Sequence, residues 1–409
     1  MVLMLMVSSI AISSSCTLQI YGNANMDEII DSADITYLEK VIKGEAEQTQ
    51  FSDANDDGTI DQKDIDQVQK IIDGNEDNLI VFDDTARAVK IPEPVKSFVY
   101  HGHNSYVYET VRAIGAADRI IGITDRFITQ GGNRYSKSYF PELLNNNVAN
   151  VGDLQAVNYE VINNLNPDVV LTDAAEYYDY TKTPDTAVVA LDVNITNSKE
   201  ACMRYGYIFG KVSEAKEYLD WYTNIENKIA EKTKDIADAN KPLVYVSSYN
   251  VDTTNFQVPA RDNYRAVMAK NAGGRYIGDE LSGTGIQDVD AEWVIARNPD
   301  VMIFSAANSI LGYDITDDKN VTEAIDEFLK RPEFADVNAV KNKKIYMVSH
   351  PYILCGGASG LIGTIYYAKW LYPDLFSDID AQAIHQEYVT KFQHLDIDVS
   401  KSISVYPPA

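Results

Sequence analysis

Positive charge is scarce in this sequence. Thirty-five Lys and Arg face 61 Asp and Glu, a formal net charge of -26 over 409 residues. A chain this acidic repels phosphate backbones and anionic membrane surfaces, which argues against nucleic acid as a partner. Cysteine is scarce too. Cys16, Cys202 and Cys355 are the three present, and they do not make a disulfide framework. Only five His occur. The apolar run Val2 to Ile12 falls short of the ~20 residues needed to span a bilayer, and no later stretch is long and apolar enough. No nucleophile is paired with a base and no Gly-rich phosphate loop occurs, so no enzyme and no catalytic cofactor are expected.

What is abundant is Tyr, with 27 residues, in a chain that is 45% hydrophobic and long enough for one to three domains. At the start, Ser13-Ser14-Ser15-Cys16 follows the apolar run. Residues 1–16 resemble an export signal ending in a lipoprotein box, although no Lys or Arg precedes Lys40. The resemblance implies lipidation at Cys16 and a place on the outer face of the cytoplasmic membrane. The competing reading is a buried first strand.

Residues 17–77 carry an internal repeat. Asn23 to Asp53, Asp34 to Asp64 and Gly44 to Gly74 are each 30 apart. The first loop offers Asn23, Asn25, Asp27, the Ile29 carbonyl, Asp31 and Asp34. The second offers Asp53, Asn55, Asp57, the Thr59 carbonyl, Asp61 and Asp64. Oxygens at positions 1, 3, 5, 7, 9 and 12 match the EF-hand kind of calcium loop, because a hard cation needs six or more oxygens around one point. Gly58 holds the sharp turn at position 6 of the second loop, and Glu28 stands there in the first. The segment resembles a dockerin: a small all-α module with two calcium loops, each followed by a helix. That resemblance implies structural calcium and a cohesin-like partner. The plainer expectation is a calcium-stiffened spacer.

From residue 78 strands alternate with helices, the pattern of parallel α/β sheets. The stretch Ser213 to Asn240 predicts one long helix, with Ala215, Tyr218, Leu219, Tyr222, Ile225, Ile229 and Ile236 on one face. At 1.5 Å per residue it would reach about 39 Å, enough to connect two lobes. Each side of it carries a Glu six residues before Asn-Pro-Asp-Val: Glu160 before 166–169, and Glu292 before 298–301. Two such matches in register predict two lobes of one architecture, 78–212 and 241–409.

This order resembles the substrate-binding proteins of ferric siderophore and vitamin B12 ABC importers. The carrying stretches are Glu109 to Ile123, the two Glu-to-Asn-Pro-Asp-Val segments, the helix, Ala339 to Tyr346 and the Tyr-Pro-Pro tail. The resemblance implies two α/β lobes joined by a rigid helix, a chelate in the cleft, a monomer, and Glu160 and Glu292 docking onto the membrane permease. The fold alone places a ligand at the carboxyl ends of the strands. The residues expected there are Tyr100, His101, His103, Arg126, Tyr177, Tyr249, His350 and Tyr352. Tyr supplies a flat apolar face and a hydroxyl, and Arg126 an anion partner. The expected ligand is a ferric siderophore, then a corrinoid. One alternative is free zinc held by His101, His103 and His350. Another is a calcium-dependent adhesion or scaffold component acting through the dockerin-like segment.

Overall fold

The computed structural model describes residues 17–128, 138–144, 147–249, 256–307, 309–350 and 359–408. Cys16, Tyr352 and Cys355 lie outside the described residues. Among those described, no helix is long and apolar enough to cross a membrane.

Each N-terminal loop runs into a helix, α1 (Ser32–Ile42) and α2 (Gln62–Asp73). The 30-residue period reproduces the same capping box twice. Asp31 and Asp61 cap the helices, while Asp34 and Asp64 accept from the cap backbone N–H at 2.8 and 2.7 Å. The loops diverge at position 6: Gly58 takes φ +86, a conformation that Glu28 does not adopt.

The spacer expectation is corrected by how this module packs. Strands β1 (Asn78–Phe82) and β2 (Ala88–Pro92) form an antiparallel hairpin. Residues 19–21 close the outer edge of β1, with Tyr21 N–H on the Ile80 carbonyl at 2.9 Å and Phe82 N–H on the Gln19 carbonyl at 3.0 Å. From the first lobe, the Tyr207 hydroxyl accepts the Ile30 N–H at 2.8 Å and donates to the Ile30 carbonyl at 3.4 Å. Leu18, Ile20, Ala24, Ile30 and Leu38 are buried in the core shared with the first lobe. An open hairpin edge and a set of apolar side chains find their partners in each other. The module is therefore part of that lobe's packing.

The first lobe's sheet contains β3 (Phe98–His101), β4 (Ile120–Ile123), β5 (Ala149–Asn150), β6 (Val169–Thr172) and β7 (Ala187–Ala190). They lie all parallel in the order β5-β4-β3-β6-β7. The second contains β8 (Leu243–Ser248), β9 (Arg275–Tyr276), β10 (Val301–Ala306), β11 (Ile345–Ser349) and an antiparallel edge β12 (Val405–Tyr406), in the order β9-β8-β10-β11-β12.

The Asn-Pro-Asp repeats occupy equivalent places. Helix α3 (Tyr159–Leu165) ends on Asn166 at φ +47, and α4 (Ala291–Arg297) ends on Asn298 at φ +48. Asn tolerates this left-handed conformation. The following Asp ties the start of the neighbouring strand. Asp168 accepts from Ser97 N–H at 2.8 Å, just before β3, and Asp300 from Leu243 N–H at 2.9 Å, at the start of β8.

The connecting helix is α5 (Val212–Thr233), 22 residues, or about 33 Å. It stops short of the expected Asn240. Thr233 turns its hydroxyl back onto the Ile229 carbonyl at 3.0 Å, and Ala237 is extended at ψ 140. Its apolar face is as expected: Ala215, Tyr218, Tyr222, Ile225 and Ile229 are buried.

Candidate functional site

The carboxyl ends of β3 and β6 meet at one half-buried carboxylate, Asp173. It accepts the His103 N–H at 2.6 Å, the Asn104 N–H at 3.0 Å and the Tyr100 hydroxyl at 2.9 Å. Burial pushes its carboxyl above the ordinary value, against the pull of those donors and of Arg126. Asp173 thus fixes the loop that follows β3. Gly102 lies in that loop, its N–H on Thr124 Oγ1 at 2.8 Å. A Cβ on Gly102 would stand 2.0 Å from Tyr100 Cζ, so the loop is packed down on the Tyr ring and is not the loose linker that a His-Gly-His run suggests.

Successive residues of β3 point to opposite faces, and both faces are covered. Tyr100 is 0% exposed, with its hydroxyl also bonded to the Asn104 carbonyl. The expectation that its ring offers a face to a ligand is corrected: it supports the loop from beneath. His101 turns the other way and is equally buried, edge-on to Tyr178 at 5.4 Å. One ring nitrogen meets Thr172 Oγ1 at 3.1 Å and the other the Leu154 carbonyl at 3.0 Å. Burial lowers its pKa. With both nitrogens engaged, His101 holds the lobe together and is withdrawn from the three-His zinc set.

His103 and Arg126 are brought together. The Arg126 guanidinium donates to His103 Nδ1 at 2.8 Å, with His103 exposed at the end of the loop. The second lobe repeats the arrangement. His350 follows β11, its N–H on the Ala306 carbonyl at 2.7 Å, and Arg265 Nη2 lies 3.4 Å from His350 Nδ1. Arg265 is buried on α6 (Tyr264–Asn271), 5.0 Å from the Tyr264 ring. Each lobe therefore presents a guanidinium–imidazole pair, and in each pair the Arg N–H needs a ring nitrogen able to accept. Of the Tyr candidates, Tyr177 is 40% exposed beyond β6. Tyr249 is half-buried, against Phe304 at 6.2 Å with its hydroxyl 3.3 Å from the Ala324 carbonyl.

Asp173 and Arg265 were not among the expected site residues. The signal for Asp173 was its place directly after a buried strand. Arg265 was hidden inside a segment read only as helix.

Glu160 and Glu292 are exposed in the first turns of α3 and α4, behind the caps Asn158 and Asp290. They take equivalent positions on the two lobes.

In the N-terminal loops the oxygens are spread over backbone amides. Asp53 takes Asp57 and Gly58 N–H, Asn55 takes Asp57 N–H, and Asp57 takes Thr59 N–H and the Lys63 ammonium at 2.9 Å. Among the described residues no three His, Cys, Asp or Glu side chains converge as a metal cluster. One atom breaks the pattern. Asn23 Oδ1, at position 1 of the first loop, is buried and accepts no hydrogen bond from the protein. Burial also lifts the position-12 carboxyl of Asp34 to about 6. An orphaned buried oxygen beside acidic groups suits a hard cation.

A family model described as "Periplasmic binding protein" matches residues 99–351. The chain belongs to the periplasmic binding protein family. Curated members it resembles include the molybdate-binding protein MolA of Haemophilus influenzae, 22% identical, covering 76% of this chain and 90% of that one. Another is the petrobactin-binding protein YclQ of Bacillus subtilis, 23% identical over 66% of this chain and 79% of its own. Among solved structures, a TroA-like periplasmic binding protein FepB from Veillonella parvula superposes with a TM-score of 0.66 at 20% identity, covering 81% and 99% of the two chains. The molybdate-bound MolA structure gives 0.61. Family membership fixes the two-lobe α/β fold, and the relatives named are solute-binding proteins.

Proposed function

We propose that this chain is the exported substrate-binding protein of an ABC importer and that its cleft takes an anionic metal chelate. A ferric siderophore is the first choice and a corrinoid the second. The observation that carries the reading is the guanidinium–imidazole pair on each lobe, His103 with Arg126 and His350 with Arg265. Two guanidiniums at the carboxyl ends of two sheets suit a ligand whose negative charge is spread over several oxygens. Tyr177, beyond the carboxyl end of β6, supplies an exposed aromatic face. The burial of His101 weighs against free zinc as the ligand.

In this reading Glu160 and Glu292 meet the permease, one from each lobe, and Cys16 carries the lipid anchor. Calcium is a structural ion of the N-terminal module, held by Asn23, Asn25, Asp27, Ile29, Asp31 and Asp34 in the first loop and by Asp53, Asn55, Asp57, Thr59, Asp61 and Asp64 in the second. A cohesin-like partner is the alternative role for the same module.

The test is fluorescence titration with a panel of ferric siderophores, cobalamin, molybdate and zinc. A ferric chelate should bind, and Arg126→Ala and Arg265→Ala should each weaken it about tenfold or more, the weight of a charge-assisted hydrogen bond. Tight zinc binding with no chelate binding would overturn the proposal.

A further inference from the structure

The buried ring of His101 joins two parts of the first lobe that carry different tasks. On one side its Nδ1 lies 3.1 Å from Oγ1 of Thr172, the residue before Asp173, which holds the His103 and Asn104 amides. On the other its Nε2 lies 3.0 Å from the Leu154 carbonyl. A carbonyl only accepts, so Nε2 carries the proton and Nδ1 is bare. The Thr172 hydroxyl then donates to Nδ1, and its oxygen accepts the Ala174 N–H at 3.0 Å. One line of hydrogen bonds runs from Ala174 through Thr172 and His101 to Leu154, and it fixes a single neutral tautomer. Burial, which lowers the His101 pKa, keeps the ring neutral.

Leu154 stands in the turn of a small antiparallel hairpin, Gly152–Asp153 with Ala156–Val157. The hairpin runs directly into α3. Asn158, the N-cap of α3, accepts the Val161 N–H on its side chain at 3.1 Å and gives its own N–H to the Val151 carbonyl at 2.7 Å. There is little slack. A Cβ on Gly152, at φ +92, would run into the Ala156 carbonyl oxygen and stand 2.8 Å from the Asn158 nitrogen. Glu160 lies in the first turn beyond this cap. A second path reaches the same turn. Tyr178 sets its ring 5.4 Å from both His101 and Tyr159, and the Tyr159 hydroxyl accepts the Asp179 N–H at 2.6 Å.

We propose that His101 is a positioning residue for Glu160. Its ring, held in one tautomer, fixes the hairpin from which α3 starts and ties that start to the strand end beside Asp173. The part played by Glu160 rests on the permease-docking reading above; the line of hydrogen bonds does not.

The test uses the full chain as wild type, His101→Phe, His101→Gln and Tyr159→Phe. Phe keeps a ring and removes both nitrogens, while Gln keeps an N–H for the Leu154 carbonyl. Nitrogen-15 NMR should show His101 as the Nε2–H tautomer at about pH 7. In His101→Phe, amide exchange at Asn158 and Val161 should quicken about tenfold, with His101→Gln closer to wild type. Tyr159→Phe removes only the hydroxyl that accepts the Asp179 N–H. It should quicken the same amides less, and it supplies the comparison if His101→Phe does not fold. In reconstituted vesicles His101→Phe should need about tenfold more loaded protein for half-maximal transport, and lower the maximal rate by less. An Nδ1–H tautomer, wild-type exchange in His101→Phe and Tyr159→Phe, or equal losses in His101→Phe and His101→Gln would overturn the positioning role. Quickened exchange with a wild-type half-maximal concentration would remove Glu160 from it. If the wild type itself drives no transport, the docking reading fails, and the exchange measurements still decide whether His101 anchors the hairpin.

Discussion

Arg112, in the first lobe, donates through Nε to Gln393 Oε1 in the C-terminal tail of the second at 2.9 Å, with both side chains buried. Gln393 answers by donating to the Glu109 carbonyl at 3.1 Å, and Arg112 Nη1 also holds the Tyr139 carbonyl at 2.6 Å. Beside this clasp Tyr139 stacks on Tyr313 of the second lobe at 5.3 Å. The lobes are thus joined by a buried polar contact as well as by α5. Gln393→Ala removes an acceptor from a buried guanidinium and should cost about 1–3 kcal/mol. Urea unfolding should show a lower midpoint at unchanged slope. A wild-type midpoint would contradict the clasp.

The clasp and the connecting helix both limit closure. No Pro or Gly lies between Ser213 and Thr233, and sharp helix kinks need such residues or a π-bulge. Trp221 and Tyr218 of α5 pack on Phe392 of the tail at 4.8 and 5.0 Å, which pins that turn of the helix to the tail. The radius of gyration from small-angle scattering should therefore be the same with and without bound chelate. A large compaction on binding would refute the rigid connection.

What was legible in the sequence follows from how local each signal is. The paired Asn-Pro-Asp segments were legible because their roles, a left-handed Asn and an Asp tied to the next strand, are set within a few residues. The buried face of α5 was legible from its period. The roles of Tyr100 and His101 were not, because the sheet is covered on both faces and neighbouring residues are both buried. Asp173 acts on residues about 70 positions earlier, and the module's docking depends on an edge pairing between 19–21 and β1. Neither partner can be read from a window of sequence.

Glu160 and Glu292 stand exposed at equivalent helix starts on the two lobes. Glu160→Ala or Glu292→Ala should leave chelate affinity unchanged and weaken transport in reconstituted vesicles. Losing one partner of an interface charge pair costs roughly 2–5 kcal/mol. Normal transport by the double variant would remove both residues from the docking role.

Calcium removal should act on the N-terminal segment first. With chelator, α1 and α2 should lose helix and residues 17–77 should become sensitive to protease, while the two sheets stay folded. Asn23→Ala should reproduce the effect for the first loop alone. Unchanged circular dichroism and unchanged cleavage after chelation would exclude a structural ion there.

The tightest constraint on the site is the contact between Gly102 and the Tyr100 ring. A methyl group at 102 cannot fit 2.0 Å from Tyr100 Cζ, so the ring must move. That ring carries the hydroxyl bonded to Asp173, and Asp173 holds the His103 and Asn104 amides. Displacing it should shift His103 away from Arg126. Gly102→Ala is therefore expected to destabilise by about 1–3 kcal/mol, as overpacking does, and to weaken ligand binding at the same time. Gly285→Ala serves as the control, since nothing lies within 4 Å of its added Cβ. Melting and titration of the two variants side by side give the measure. If Gly102→Ala melts and binds as Gly285→Ala does, the loop is not held in the way these contacts require.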